Sequence, residues 1–544
     1  MGGLNNILNI AQSALFASQS ALNTTSNNIA NVNTPGYADE KAILEPVDHI
    51  DLSGSNQGAD SPGGVAVTSV QRQFDSFLQA QIYQRQQSMS SSDASSNTLG
   101  QLEQVFNETG QTGLATSFNT FVNDWQQVAS NPTASAGRNT LLSDSQALVS
   151  AAQDKQGAIE DAIKQANDTI KGTVDTVNSL ASSIAQLNGQ IVAAQGTASG
   201  SLAQLMDQRD NLMQQLSQSI NFSYYTDNTG QVSILAGMGQ NLVSGAKTNA
   251  LSAQQDTNGD YQMYLNGTNI TSNITGGTLG GLISARSDAE TQGLLPLNRF
   301  MAGLTQQVNN IQKQGFGLDG STGNPFFSPL TLATSSNSSA SITASVTNES
   351  QLTLDQYNIK IDTSNNYNVY DNQTGKLVTS GAYTSGGAIN FDGIQTVITG
   401  SASSGDTFTV DPLKNAVNNM QVAITNGDQI AASSSASGLP GDNSNALAMV
   451  NALNNAQVSS LGGQTVMDYY QGIVSTTGSL SKAASDNQTF ESNLLDQLNQ
   501  QRDSVSGVSI DEESVNLIKY QQAYEAAAKV VQTTSELFQT LMNL

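Results

Sequence analysis

The sequence predicts a multidomain α+β protein: a terminal α-helical coiled coil, an elongated discontinuous helical bundle, and two inserted β-rich domains. Three observations predict it. Apolar residues alternate in spacings of four and three at both ends of the chain. Stretches of helical period recur at widely separated positions. Between them the period drops to two and turn residues become frequent.

The first helix carries Leu4, Leu8, Ala11, Leu15, Ser18, Leu22, Thr25 and Ile29, a narrow heptad stripe. Pro35 ends it and Gly36 lets the chain turn. "YADEKAILEP" then reads as a short extended spoke. At the far end Leu517, Tyr520, Tyr524, Ala527, Val531, Thr534, Phe538 and Leu541 follow the same alternation. An assembly interface is therefore expected at Leu4, Leu8, Leu15, Leu22 and Ile29, and at Leu517, Tyr520, Tyr524, Val531, Phe538 and Leu541. An isolated helix of about 27 residues rich in Asn and Ser is only marginally stable in water. Both ends are therefore expected to be mobile in the free chain and to order on assembly. The other face of the first helix is neutral, with Asn5, Asn6, Asn9, Gln12, Gln19, Asn23, Asn27 and Asn28. Amides both donate and accept, so this face can pair with unlike neighbours without stranding a buried charge.

A long helix is marked by Ile159, Ile163, Ala166, Ile170, Val174, Val177, Ala181, Ile184 and Ile191. A Gly-Ser loop and a shorter helix with Leu202, Leu205, Leu212 and Leu216 follow it. A further helix carries Ile283, Leu294, Leu297, Met301, Leu304, Val308 and Ile311, and another runs from Val466 through Tyr470, Ile473, Leu480, Ala484, Leu494 and Leu498. Hairpins are expected with turns at Asn228 to Gly230 and at Asn266-Gly267. A strand-rich block covers 352–410, entered through a serine-rich linker, "LATSSNSSASITASV". The implied domains are 1–60 with 508–544 as terminal coiled coil and spoke, and 61–220, 280–325 and 441–507 as helical bundle. An inner β-rich domain takes 221–279 and 412–440, and an outer one 330–411.

Composition narrows the function. With 44 acidic and 19 basic residues the net charge is -25, so nucleic acid and anionic membrane surfaces are not expected partners. No apolar run approaches the roughly 20 residues that span a bilayer. The start "MGGLNNILNIAQSALF" has neither a basic n-region nor a continuous apolar h-region, so no cleaved signal peptide is expected. Cysteine is absent, which excludes disulfides and thiolate chemistry.

Candidate chemical motifs are weak. His49 beside Asp48 and Asp51 is a lone histidine in a polar loop. Asp256, Asn258 and Asp260 alternate like calcium ligands, yet Tyr261 and Gly267 stand where an EF-hand needs glycine and glutamate. Ser509 and Glu512 fit a capping box better than a catalytic pair. Trp125 shares helical spacing with Phe118, Phe121 and Val122 and reads as core. Neither a metal nor a cofactor is expected. An extracellular hydrolase would need a nucleophile, base and oxyanion site that no motif supplies.

Two terminal segments carry a resemblance. "SNNIANVNTPGY" resembles the N-terminal signature of bacterial flagellar axial proteins, and "SVSGVSIDEESVNLIKYQQAYEAAAKVVQTTSELFQTLMNL" is similar to the matching end of the hook-associated protein 1 (FlgK) family. "VTSVQRQFDSFLQAQI", "LMDQRDNLMQQLS", "GTLGGLISARSDAE" and "SGDTFTVDPLKNAV" agree with the same family. The resemblance implies a non-enzymatic subunit of the hook-filament junction, exported without a cleaved signal to an extracellular flagellum. It implies as partners further copies of the chain, the hook protein, hook-associated protein 3, and an export chaperone at the C-terminal region. A hook or rod subunit, and a secreted adhesin using the outer β-rich domain, are the alternatives.

Overall fold

The computed structural model describes residues 2–34, 36–47, 63–108, 113–195 and 201–542. Pro35 and the candidate trio Asp48, His49 and Asp51 lie outside them. The described chain divides into two compact units, 1–95 with 167–283 and 485–544, and 96–166 with 284–484.

Helices are α1 (Gly2–Asn31), α2 (Ser76–Phe106), α3 (Leu114–Ser130), α4 (Ser135–Ala194), α5 (Ser201–Ser219), α6 (Gly277–Asp288), α7 (Leu295–Gln312), α8 (Ser444–Asn455), α9 (Val466–Ser506) and α10 (Ile510–Met542). Helices α2, α4, α6 and α9 contribute residues to both units.

In the first unit α1 packs along α10. The spoke is an antiparallel pair, β1 (Glu40–Pro46) with β2 (Val65–Arg72), bulged between Ile43 and Leu44. Small sheets follow. One joins β3 (Phe222–Thr226), β4 (Val232–Ala236), β5 (Gln240–Ser244) and β6 (Lys247–Thr248); another joins β7 (Leu251–Gln255), β8 (Tyr261–Leu265) and β9 (Thr268–Asn269). The expected turns are present: Gly230 has φ +68°, and Asn266 and Gly267 both adopt the left-handed conformation that a tight hairpin requires. Asp256 caps backbone N–H groups of Asn258 and Asp260 at 2.8 and 3.1 Å, the geometry of a turn.

These sheets are held to α4 by asparagines on its inner face. Asn188 donates to the Val232 and Gly245 carbonyls at 2.7 and 2.8 Å and accepts from Val232 N at 3.0 Å. Asn178 does the same for Leu251, at 2.9 and 2.8 Å. A side-chain amide satisfies one peptide's donor and acceptor together, so it can seat a strand on a helix without a charge.

The second unit is built on an aromatic core. Phe118, Phe121, Trp125, Phe300, Phe326 and Phe327 are fully buried, with Trp125 and Phe326 ring centroids 5.6 Å apart. Residues 412–440, grouped from sequence with the inner β-rich domain, lie instead in this core through Val417, Met420, Ile424 and Ile430. Their apolar side chains match helix faces, and Arg138 locks the segment by donating to Ile430 O at 2.6 Å and Gly427 O at 3.2 Å. Asn309 repeats the asparagine device, donating to Phe327 O and accepting from Phe326 N, both at 3.0 Å.

The outer sheets comprise β10 (Ala333–Ser336), β11 (Ser341–Val346), β12 (Tyr357–Ile361), β13 (Asn366–Asp371), β14 (Leu377–Ala382), β15 (Ala388–Phe391), β16 (Ile394–Thr399) and β17 (Thr407–Asp411). They form a five-stranded sheet in the order β10-β17-β12-β13-β14 and a three-stranded sheet in the order β11-β16-β15. The serine-rich stretch expected as a linker is therefore two strands. Ile342, Ala344 and Val346 turn inward along β11 while serine and threonine face out, so the alternation, not the serine content, decides.

Phe121→Ala removes a ring packed between Trp125 and Phe326. It is expected to destabilise the second unit by about 3–5 kcal/mol, read as an earlier change in Trp125 fluorescence on urea unfolding. An unshifted midpoint would show that the ring contributes little.

Candidate assembly interface

The terminal pair is antiparallel, because Asn28 near the end of α1 donates to Glu513 at the start of α10, 3.2 Å away. Helix α1 holds no charged side chain, and none precedes Asp39 in the chain. At α10 the expected cap is present: Glu512 N donates to Ser509 Oγ at 3.4 Å.

The buried positions of the two helices are mostly small side chains, on an α1 that packs against β1 and β2 as well as α10. Ala11, Ala17, Ser18, Ala21, Thr24, Thr25 and Asn28 are buried on α1, and Glu513, Ala527 and Thr534 on α10. Leu4, Leu8, Leu15, Leu22 and Ile29 are half-buried, as are Leu517, Tyr520, Tyr524, Val531 and Phe538. Leu541, expected within the seam, is exposed. Ala11, Ser18, Thr25, Ala527 and Thr534, the small members of the predicted heptad stripe, are thus its fully buried positions, because small residues allow two backbones to approach closely, while the larger members stay half-buried. Both helices are formed and packed on each other within the chain. The root described below holds their ends together, so each stripe finds its partner intramolecularly.

A second apolar face remains uncovered. On α10, Val515, Ile518, Val530 and Leu537 are 66, 54, 41 and 56 % exposed. At 100° per residue they fall within about a 120° arc turned away from the seam. Phe16 on α1 is 72 % exposed. Sequence reasoning passed over these residues. Their signal was a second apolar set on a helix whose first set already had a partner.

The pair is rooted by Asn28, which is fully buried. Its amide nitrogen lies 2.7 Å from Asp39 Oδ1 and 2.9 Å from the Glu40 carbonyl, besides the contact with Glu513. Its amide oxygen accepts from Tyr37 Oη at 2.8 Å and Glu40 N at 3.1 Å. Expected on the neutral face offered to unlike neighbours, Asn28 instead ties α1, the spoke and α10 together. Gly36, at φ +80°, makes the turn that brings Tyr37 and Asp39 back to it.

Carboxylates outnumber guanidiniums around this root. Arg72 pairs with Asp207 and, at 2.8 Å, with Asp210; Arg209 lies 3.7 Å from Asp210. Burial, then the neighbouring Asp207 charge, pushes Glu40 up to about 7, with Arg72 opposing. Burial likewise raises Asp207 to about 6, against the pull of Arg72. Asp39 is raised by burial and by Glu513. Among the described residues no group of three or more His, Cys, Asp or Glu has the arrangement of a metal site.

Comparisons with known proteins bear on this architecture. Family models match residues 99–327 as "Flagellar hook-associated protein FlgK helical domain" and 332–412 as "Flagellar hook-associated protein 1, D2-like domain". The ends match models for "Flagella basal body rod protein" at 8–37 and for "Flagellar basal body rod FlgEFG protein C-terminal" at 499–544. Flagellar hook-associated protein 1 of Escherichia coli K12 is 31% identical over 559 residues, covering 99% of this chain and 100% of its own. The Bacillus subtilis protein of the same name is 29% identical, covering 98% and 97%. The flagellar hook junction protein FlgK from Burkholderia pseudomallei shares the fold, with a TM-score of 0.67 at 21% identity, over 78% of this chain and 100% of that one.

Two outcomes are expected at the root. Asn28→Ala strands buried partners and costs about 1–3 kcal/mol, seen as faster hydrogen exchange in α1 and the first turns of α10; unchanged protection would contradict it. The raised Glu40 and Asp207 bind protons in the folded root that the unfolded chain has already released. Stabilisation is thus greatest below the ordinary carboxylate range and is lost as pH rises through about 6 and about 7. Protection of α1, corrected for intrinsic exchange, should fall between pH 5 and pH 8; a flat profile would refute the linkage.

Proposed function

This chain belongs to the flagellar hook-associated protein 1 family, and on that premise we propose that its paired terminal helices are the part that assembles. The protein is a structural subunit of the bacterial flagellum, at the junction of hook and filament. The observation that carries the assembly reading is the division of labour on α10. One face is buried against α1, while Val515, Ile518, Val530 and Leu537 stay uncovered on another. An exposed apolar stripe on a helix that already has its intramolecular partner favours contact with further protein.

Copies of the chain pack side by side by heterologous contacts, the uncovered stripe of one against the neutral face of α1 on the next. Asn5, Asn9, Gln12, Gln19, Asn23 and Asn27 on that face are exposed and uncharged. Neutral amides tolerate different neighbours, which suits contact with the hook protein on one side and hook-associated protein 3 on the other. The C-terminal region is where an export chaperone would cover the same stripe before assembly. Delivery to the cell exterior without a cleaved signal, and a role without catalysis, complete the reading. The hook or rod alternative draws only on the terminal matches, whereas the hook-associated relatives extend over nearly the whole chain.

Val530→Asp together with Leu537→Asp is expected to leave the purified chain folded, with native helical circular dichroism, and to yield cells bearing hooks without filaments. Ala21→Asp, which places a charge in the inner seam, should in contrast undock α1 in the purified chain. Normal filaments on the double-aspartate strain would sink the assignment of the outer face.

A further inference from the structure

A groove of ≈ 720 Å³ opens beside the root within the first unit. Asn27 and Asn31 of α1 and Gln186 and Gln204 of α4 and α5 rim it, and Glu40 and Asp207 are the carboxylates among its lining. Glu40 is 6 % exposed and takes no hydrogen bond on its carboxylate from any described residue. Asp207, 8 % exposed, has Arg72 as its ion-pair partner. A nearly buried carboxylate facing a groove without a donor of its own is a costly arrangement, and a cation brought into the groove removes the cost.

The terminal pair supplies cations from only one helix. Helix α1 has none, and α10 has Lys519 and Lys529, both exposed. Among the described residues neither has a carboxylate within ion-pair distance; the Lys519 ammonium sits 5.9 Å from the ring centroid of Tyr520. Lys519 adjoins Ile518 on the uncovered apolar arc of α10. Level distinguishes the two lysines. Lys519 is roughly 9 Å along the helix from Glu513, which marks the root, and Lys529 roughly 24 Å. Adjacent copies related by a small axial step therefore bring Lys519, not Lys529, to the height of the groove.

We propose that this groove is the socket for Lys519 of an adjacent copy of the chain, its ammonium pairing with Glu40 while the amide rim satisfies the remaining donors. The inference rests on the side-by-side assembly proposed above and adds its register. Docking the lysine also covers Val515 and Ile518, so the ion pair is desolvated by the apolar contact around it, and it selects one lateral alignment out of those the stripe alone would allow.

The test uses the full chain in a strain lacking the native copy. Lys519→Glu and Glu40→Lys are each expected to lower the fraction of cells bearing filaments about tenfold or more, and the combined charge swap to restore it. Normal filament numbers in both single variants would overturn the proposal. Because Glu40→Lys also meets Arg72, a second measurement leaves the pair intact: Asn31→Cys with Gln522→Cys in this cysteine-free chain. Mild oxidation of purified flagella should give disulfide-linked dimers and higher species with the double variant and none with either single variant. Flagella that contain the double variant yet yield only unlinked chain would refute the contact. Absence of the native chain from purified flagella would instead overturn the assembly reading on which it rests.

Discussion

The hydrogen bonds of one buried asparagine hold the terminal architecture in place. Asn28 sits where α1, the turn after it, the spoke and the start of α10 converge, and it satisfies groups on each. Without that convergence the ends of the two helices would have to find each other from opposite ends of the chain. With it, a seam whose fully buried positions are chiefly alanine, serine and threonine is enough, because the entropy of bringing the helices together has already been met at the root. A leucine-rich seam would bind more strongly by itself. It would also take up the large apolar residues that remain free for neighbours.

The same device recurs. Asn178 and Asn188 seat strands on α4, and Asn309 clasps the chain at Phe326 and Phe327. Only 12% of the residues are charged, and much of the buried polar contact is made by neutral amides and hydroxyls, with Arg138 a charged exception in the second unit. An amide that holds a peptide group on both sides needs no counter-ion and little desolvation compared with a carboxylate. Another exception is the root itself, where carboxylates exceed arginines and Glu40 is left facing a groove. That imbalance makes the root sensitive to protons and receptive to a neighbour's cation.

Much of the fold was legible from periodicity. The long apolar repeats from Ile159 to Ile191 and from Val466 onward, the turns at Gly230 and Asn266-Gly267, and the alternation at Tyr357, Ile359 and Ile361 all correspond to elements in the structure. Two segments went astray for physical reasons. Residues 332–346 have a linker's composition and a strand's alternation, and burial of Ile342, Ala344 and Val346 favours the strand. Residues 412–440 have little regular structure, so no period announces which core their apolar side chains enter.

At the candidate interface the sequence by itself determined that both termini are amphipathic helices, that α1 bears no charge, and that cysteine chemistry has no place. Those follow from residue type and spacing, which act locally. Tertiary structure alone decided which residues form the seam and which are left for others. The large and the small positions of one heptad stripe are both competent to be buried. The choice depends on how closely the partner's backbone can approach, a property of two helices and not of either sequence. Asn28 was indistinguishable from the other asparagines of α1 until the chain returned past Gly36 and α10 arrived from the far end. A hydrogen-bond partner 485 positions away leaves no trace in local spacing.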